Sequence, residues 1–118
     1  GLGPAKGKDF AQGHVFGPWL VTLDEVRDLY DLRMVSRVNG EQRCDETTGS
    51  IHWRFEELIA HASLGEELVP GEVLGSGTVG NGSGMESGRS LAPGDVVELE
   101  VSGLGLLRNR IGERRAST

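Results

Sequence analysis

Two stretches of the sequence carry residues that could do chemistry. Lys8 stands in a glycine-rich, non-helical segment, Gly3-Pro4-Ala5-Lys6-Gly7-Lys8-Asp9-Phe10. An ammonium there can stabilise negative charge as it develops, provided burial or a nearby ion makes it more than a solvated loop charge. The second stretch, Gly75-Ser76-Gly77-Thr78-Val79-Gly80, has the spacing of a dinucleotide fingerprint. That fingerprint works where the loop opens a helix whose N-terminus faces a pyrophosphate. Asn81-Gly82-Ser83-Gly84 is a poor helix start, so the nucleotide reading is set aside. His14, His52 and His61 do not have the spacing of metal ligands and read as structural or solvated, His52 as a partly buried hydrogen-bonding residue beside Trp53. Glu56, Glu57, Glu66, Glu67, Glu98 and Glu100 read as solvated carboxylates on a helix face, a loop and a strand face.

The elements that must hold these residues follow from periodicity and turn chemistry. Thr22 is a plausible N-cap for a helical turn over residues 23–29. Residues 32–38 alternate, and Asn39-Gly40 follows at once. Both residues tolerate the positive φ angles of a type I′ turn, which predicts that residues 41–46 return antiparallel to the first strand. Ser50 can cap a helix over residues 53–62, in which Phe55, Leu58, Ile59 and Ala62 share one face, and that helix should lie on a sheet. Two similar patterns, Leu68-Val69-Pro70-Gly71-Glu72-Val73 and Leu91-Ala92-Pro93-Gly94-Asp95-Val96, each predict a Pro-Gly turn feeding a strand. Residues 96–101 alternate, Ser102-Gly103 makes a tight connection, and residues 104–107 give a last strand. The glycine-rich residues 75–88 cannot bury themselves by packing; composition alone favours a surface linker over a functional loop.

Composition excludes several classes. A formal net charge of −6 argues against a nucleic-acid partner, which needs clustered Lys and Arg. The one basic stretch, Arg108, Arg110, Arg114 and Arg115, reads as a solvated tail near the C-terminus. No apolar run approaches the roughly 18 residues of a membrane span. Cys44 is the only cysteine, so neither an intramolecular disulfide nor a thiolate cluster can form, and a reducing, cytoplasmic setting is expected. No secretory signal opens the sequence. Gly1 is not a start methionine, so the chain is expected to begin within a longer protein.

Taken in order, these pieces resemble the fumarylacetoacetate hydrolase family from about Leu2 to Gly112. The succession runs from Leu2-Gly3-Pro4-Ala5-Lys6-Gly7-Lys8-Asp9-Phe10 through Gly17-Pro18-Trp19-Leu20-Val21-Thr22 to Arg37-Val38-Asn39-Gly40-Glu41. It continues with Phe55-x-x-Leu58-Ile59-Ala60, Gly75-Ser76-Gly77-Thr78, Leu91-x-Pro93-Gly94-Asp95-Val96-Val97 and Gly103-Leu104-Gly105-x-Leu107-Arg108-Asn109. Each motif is weak alone; their order and spacing are specific.

The resemblance implies an α+β, mainly β fold: a mixed sandwich or roll of short strands with one principal helix. Residues 1–112 would be the C-terminal portion of a catalytic domain and residues 113–118 a polar tail. It implies a divalent-metal-dependent hydrolase of carbon-carbon bonds in short 2-oxo or β-dicarbonyl acids, acting as a homodimer. Decarboxylases and hydratases of the same fold, and a non-enzymatic or degenerate domain, are the alternatives. Mg2+, Mn2+ or Ca2+ would be held by carboxylates N-terminal to this chain, with none held by this segment alone. Lys8 matches the family lysine beside the metal, with Gln12 also metal-adjacent, where many relatives have Thr. The link from Gln12 to Phe16 is one residue longer than usual. Thr78 matches the threonine that hydrogen-bonds the substrate carboxylate, with the Gly77 backbone beside it.

Overall fold

The computed structural model describes residues 12–113. Its frame is a four-stranded antiparallel sheet made of β1 (Arg33–Val38), β2 (Glu41–Thr47), β3 (Val96–Val101) and β4 (Gly105–Arg110), in the order β2-β1-β3-β4. One α-helix, α1 (Phe55–Ala62), and two short 3₁₀ turns, Leu23–Glu25 and Thr48–Ser50, lie outside it. The fold is therefore α+β, mainly β, with one principal helix, as expected. Among the described residues the β part is this single sheet.

The β1–β2 hairpin forms where Asn-Gly predicts it, with φ of +53° at Asn39 and +80° at Gly40. A positive φ at both central residues gives the turn the same right-handed twist as the strands. Asn39 does more than turn the chain. Its Oδ1 accepts from Val96 N–H at 2.9 Å, its Nδ2 donates to Asp95 Oδ1 at 2.8 Å, and its own N–H donates to Val96 O at 2.8 Å. Asp95 in turn accepts from Ala92 N–H at 2.8 Å, which closes the Pro93-Gly94 turn. β3 is thereby joined to β1 at its first residue. At the other end of β1, Arg33 N–H donates to Ser102 Oγ and Ser102 N–H to Arg33 O, both at 2.9 Å.

The cross-strand register places Met34, Ser36, Cys44, Leu99, Val101 and Leu107 on one face. The opposite face carries Val35 among charged neighbours: Arg33 pairs with Asp45, Arg37 with Glu100 at 2.8 Å, and Arg108 with Glu98 at 3.5 Å. Glu98 and Glu100 are thus ion-paired rather than simply solvated. Arg108 and Arg110 belong to β4 rather than to a tail; Arg110 donates to Gly94 O at 2.9 Å. Arg114 and Arg115 lie outside the described residues.

Among the described residues only Val35 and Cys44 are buried hydrophobics, whereas Phe16, Trp19, Leu20 and Leu23 are 65–93% exposed. The Trp19 ring lies over Gly105, where φ is +100° and a Cβ would come within 2.7 Å of the indole.

Other expectations change as well. The helical turn after Thr22 stops at Glu25, and Thr22 makes no side-chain capping bond. Ser50 ends a 3₁₀ turn and donates to Thr47 O, so α1 starts later, after Arg54. Residues 68–73 form a turn and extended chain but no strand, because no neighbouring strand offers them a ladder. α1 also does not rest directly on the sheet. It has no buried residue, and a cleft opens between it and Met34.

The Asn39 bridge makes stability acid-sensitive. Hydrogen bonds from Ala92 N–H and Asn39 hold the Asp95 carboxyl below its ordinary value of 3.8. A depressed folded value contributes stability that is full above the ordinary value and is lost as pH falls through the lower folded one. Asn39→Gly keeps the positive φ and removes the side chain. It should lower stability by about 1 kcal/mol for the Val96 bond alone, and reduce the loss of stability on acidification. Denaturant titrations at neutral and acidic pH check this; equal midpoints for both proteins would show that the amide is not holding β3.

Candidate functional site

The cleft beside α1 has a volume of about 340 Å3. Its walls are Met34 of β1, the connection from Thr47 to Trp53, Phe55 and Leu58 of α1, and the loop from Ser76 to Gly80. The structure thus brings Gly77 and Thr78 to the start of α1, opposite His52 and Trp53. Thr78 is exposed, and among the described residues its hydroxyl makes a single long contact, 3.5 Å to Val79 O. His52 is exposed rather than partly buried, its ring edge-on to Trp53 at 4.9 Å. Gln12 is exposed at φ +66° and is not part of this cleft. Lys8 lies outside the described residues.

The glycine-rich loop is folded rather than a plain linker. Gly82 N–H donates to Val79 O at 3.0 Å and Arg89 N–H to Gly84 O at 2.8 Å. Ser83 and Glu86 exchange bonds, Ser83 N–H to Glu86 Oε2 at 3.1 Å and Glu86 N–H to Ser83 Oγ at 3.3 Å. Backbone N–H donors, Ser83 first and Asn81 with it, hold the Glu86 carboxyl below its ordinary range. Arg89 then ties the loop to the hairpin through Glu41 at 2.7 Å.

Sequence reasoning missed the residue that sets the start of α1. Arg54 precedes the helix and offers its terminus no acceptor; the Glu57 carboxylate accepts from Arg54 N–H at 2.8 Å. The cap comes from Tyr30, distant in sequence. Its hydroxyl accepts from Phe55 N–H at 3.0 Å and donates to Glu56 Oε2 at 2.5 Å. The Tyr30 ring stacks on Phe55 with centroids 5.8 Å apart, and the Arg54 guanidinium sits 4.4 Å from the Tyr30 centroid. Burial at this junction and the bond to Glu56 push the Tyr30 hydroxyl above its ordinary value, while the same bond pulls Glu56 down. A lone tyrosine between Asp28 and Asp31 was the signal available in the sequence.

The fumarylacetoacetate hydrolase C-terminal family profile matches residues 1–112. The chain belongs to the fumarylacetoacetate hydrolase family. An uncharacterized protein of Staphylococcus saprophyticus is 34% identical over 108 residues, 91% of this chain and 36% of that protein. Among solved structures, the fumarylacetoacetate hydrolase of Exiguobacterium antarcticum is 34% identical with a TM-score of 0.76, over 84% of this chain and 36% of that one. The maleylpyruvate hydrolase of Sphingobium is 26% identical with a TM-score of 0.73, over 83% and 35%. The chain spans about a third of the length of these fumarylacetoacetate hydrolase relatives.

The divalent ion implied by the family needs several convergent oxygen donors. Among the described residues no group of three or more His, Cys, Asp or Glu could hold an ion, so they do not fit that role. Among them, too, no helix is long and apolar enough to cross a membrane.

Tyr30→Phe keeps the ring and removes both hydroxyl bonds. Hydrogen exchange at the Phe55 amide should quicken by roughly an order of magnitude, as for loss of one ordinary hydrogen bond. Unchanged exchange there would mean that the helix start is held by something other than Tyr30.

Proposed function

We propose that this chain is the C-terminal part of a divalent-metal-dependent enzyme cleaving a carbon-carbon bond in a short 2-oxo or β-dicarbonyl acid, with the Thr78 loop holding the substrate carboxylate. The observation that carries this reading is Thr78 itself: an exposed hydroxyl on the wall of a 340 Å3 cleft, without a short bond among the described residues. Backbone amides of a glycine-rich loop can approach an anion closely, and an adjacent hydroxyl adds a further donor. Apolar walls from Phe55, Leu58 and Trp53 would exclude water and strengthen such bonds.

Lys8 is assigned the stabilisation of the oxyanion that develops as the bond breaks, and Gln12 a place near the metal. The ion is assigned to carboxylates elsewhere in the whole protein, and in this reading the enzyme works in the cytoplasm as a homodimer. Decarboxylases and hydratases of 2-oxo acids pass through a similar charge, so the same Thr78 contact would serve them. Product analysis on the whole protein separates the three reactions.

Thr78→Val keeps the shape of the side chain and removes one bond to a charged group, a loss of about 1.5–3 kcal/mol. In the whole enzyme KM should rise roughly ten- to a hundredfold with a smaller effect on kcat. The variant should also lose its preference for an acid over the corresponding neutral amide; a preference that survives intact places the anion elsewhere. Lys8→Met should lower kcat far more than it raises KM, since charge stabilisation is felt mainly in the transition state. Unchanged turnover removes Lys8 from the mechanism.

A further inference from the structure

A second cavity, of about 210 Å3, opens between the downstream limb of the glycine-rich loop and the sheet. Its charged lining is two guanidiniums, Arg43 and Arg89, and one carboxylate, Asp95; Ser36, Ser87 and Ser90 add hydroxyls. Arg43 reaches it because β2 is irregular. Ser36 pairs with Cys44 and Arg37 with Gln42, which leaves Arg43 between them without a cross-strand partner. An extra residue of this kind bends its strand and re-aims a side chain.

Two guanidiniums line the cavity against one carboxylate, and Glu41, outside the lining, pairs with both of them. Asp95 is committed to Ala92 N–H and Asn39 Nδ2. Arg43 is about three-quarters buried, with a side-chain exposure of 27%, and its Nε is buried without a hydrogen-bond partner among the described residues. A buried guanidinium N–H lacking an acceptor is unfavourable, and such orphans are rare in folded proteins. Glu41, 60% exposed and outside the lining, demonstrates that both guanidiniums can converge on one carboxylate, lying 2.7 Å from Arg89 Nη1 and 3.3 Å from Arg43 Nη2.

We infer that this cavity is a binding site for a small oxyanion, a phosphate or carboxylate group taken between Arg43 and Arg89 in place of Glu41, which acts as an internal competitor. The guanidinium fork suits such groups because it offers parallel N–H donors in a plane. The site is separate from the Thr78 cleft and does not depend on the activity proposed for it.

The test is a titration of the full chain with sodium phosphate and, separately, sodium acetate at constant ionic strength. It is followed by calorimetry and by the NMR signal of the Arg43 Nε–H group, with sodium chloride as control. The expected result is a saturable shift of that signal with either oxyanion and none with chloride; the tighter of the two names the preferred group. Arg43→Gln should weaken binding at least about tenfold, as loss of a charge-assisted bond implies. Glu41→Gln removes the competitor and should tighten it, whereas a purely structural ion pair would lose stability with no gain in binding. Should Arg43→Gln fail to fold, the wild-type titration and Glu41→Gln decide the matter. A linear shift that chloride reproduces, or a Glu41→Gln protein that binds no better than wild type, overturns the proposal.

Discussion

Asn39 joins parts of the chain that are far apart in sequence. Its backbone supplies the first positive φ of the hairpin turn, and its side-chain amide both accepts from Val96 and donates to Asp95. A donor and an acceptor on one short side chain can satisfy both partners at once, which neither Asp nor Gly could do. The sheet order depends on this, because β3 reaches β1 after more than fifty intervening residues. Closing so long a loop carries an entropic cost that local pairing never meets, and contacts at the joining point offset it. The carbonyl of Asp95 then receives Ile111 N–H at 2.8 Å, so β4 is tied to the same turn.

The cleft is the space left by elements attached at their ends. α1 is held at its start by Tyr30 and has no buried face, while the glycine-rich loop is clipped by its own turns and by the Glu41–Arg89 pair. Thr78 therefore sits on a stretch anchored downstream but open toward the helix. Among the described residues, two buried hydrophobics and exposed Phe16, Trp19 and Leu20 leave much apolar surface uncovered, which is characteristic of an interaction surface.

What could be read from the sequence was local. Asn39-Gly40 specifies its turn through φ alone, and the alternation of residues 96–101 fixes which side chains share a face, so both hairpins and their faces were legible. The helix was legible through Phe55, Leu58 and Ala62, but not its start, since the capping hydroxyl comes from Tyr30 and no spacing rule links the two. Residues 68–73 carry the same Pro-Gly pattern as residues 91–96, yet only the second becomes a strand. A strand needs a partner, which composition does not reveal. Thr78 and Gly77 were singled out through the family resemblance rather than through spacing; the structure adds that they face the helix start across a cleft.

The contact between Trp19 and Gly105 has a consequence for how this sequence can drift. Position 105 is restricted twice, by a backbone angle of +100° and by an indole that would meet any added Cβ at 2.7 Å. Shrinking residue 19 relieves the second restriction and leaves the first, because the strained backbone angle belongs to the turn into β4. The dependence is therefore one-way: residue 19 can exchange among side chains that cover a glycine, while residue 105 stays fixed whatever stands opposite. Along a lineage the two positions would not co-vary as a reciprocal pair. One would wander within limits set by the other's immobility.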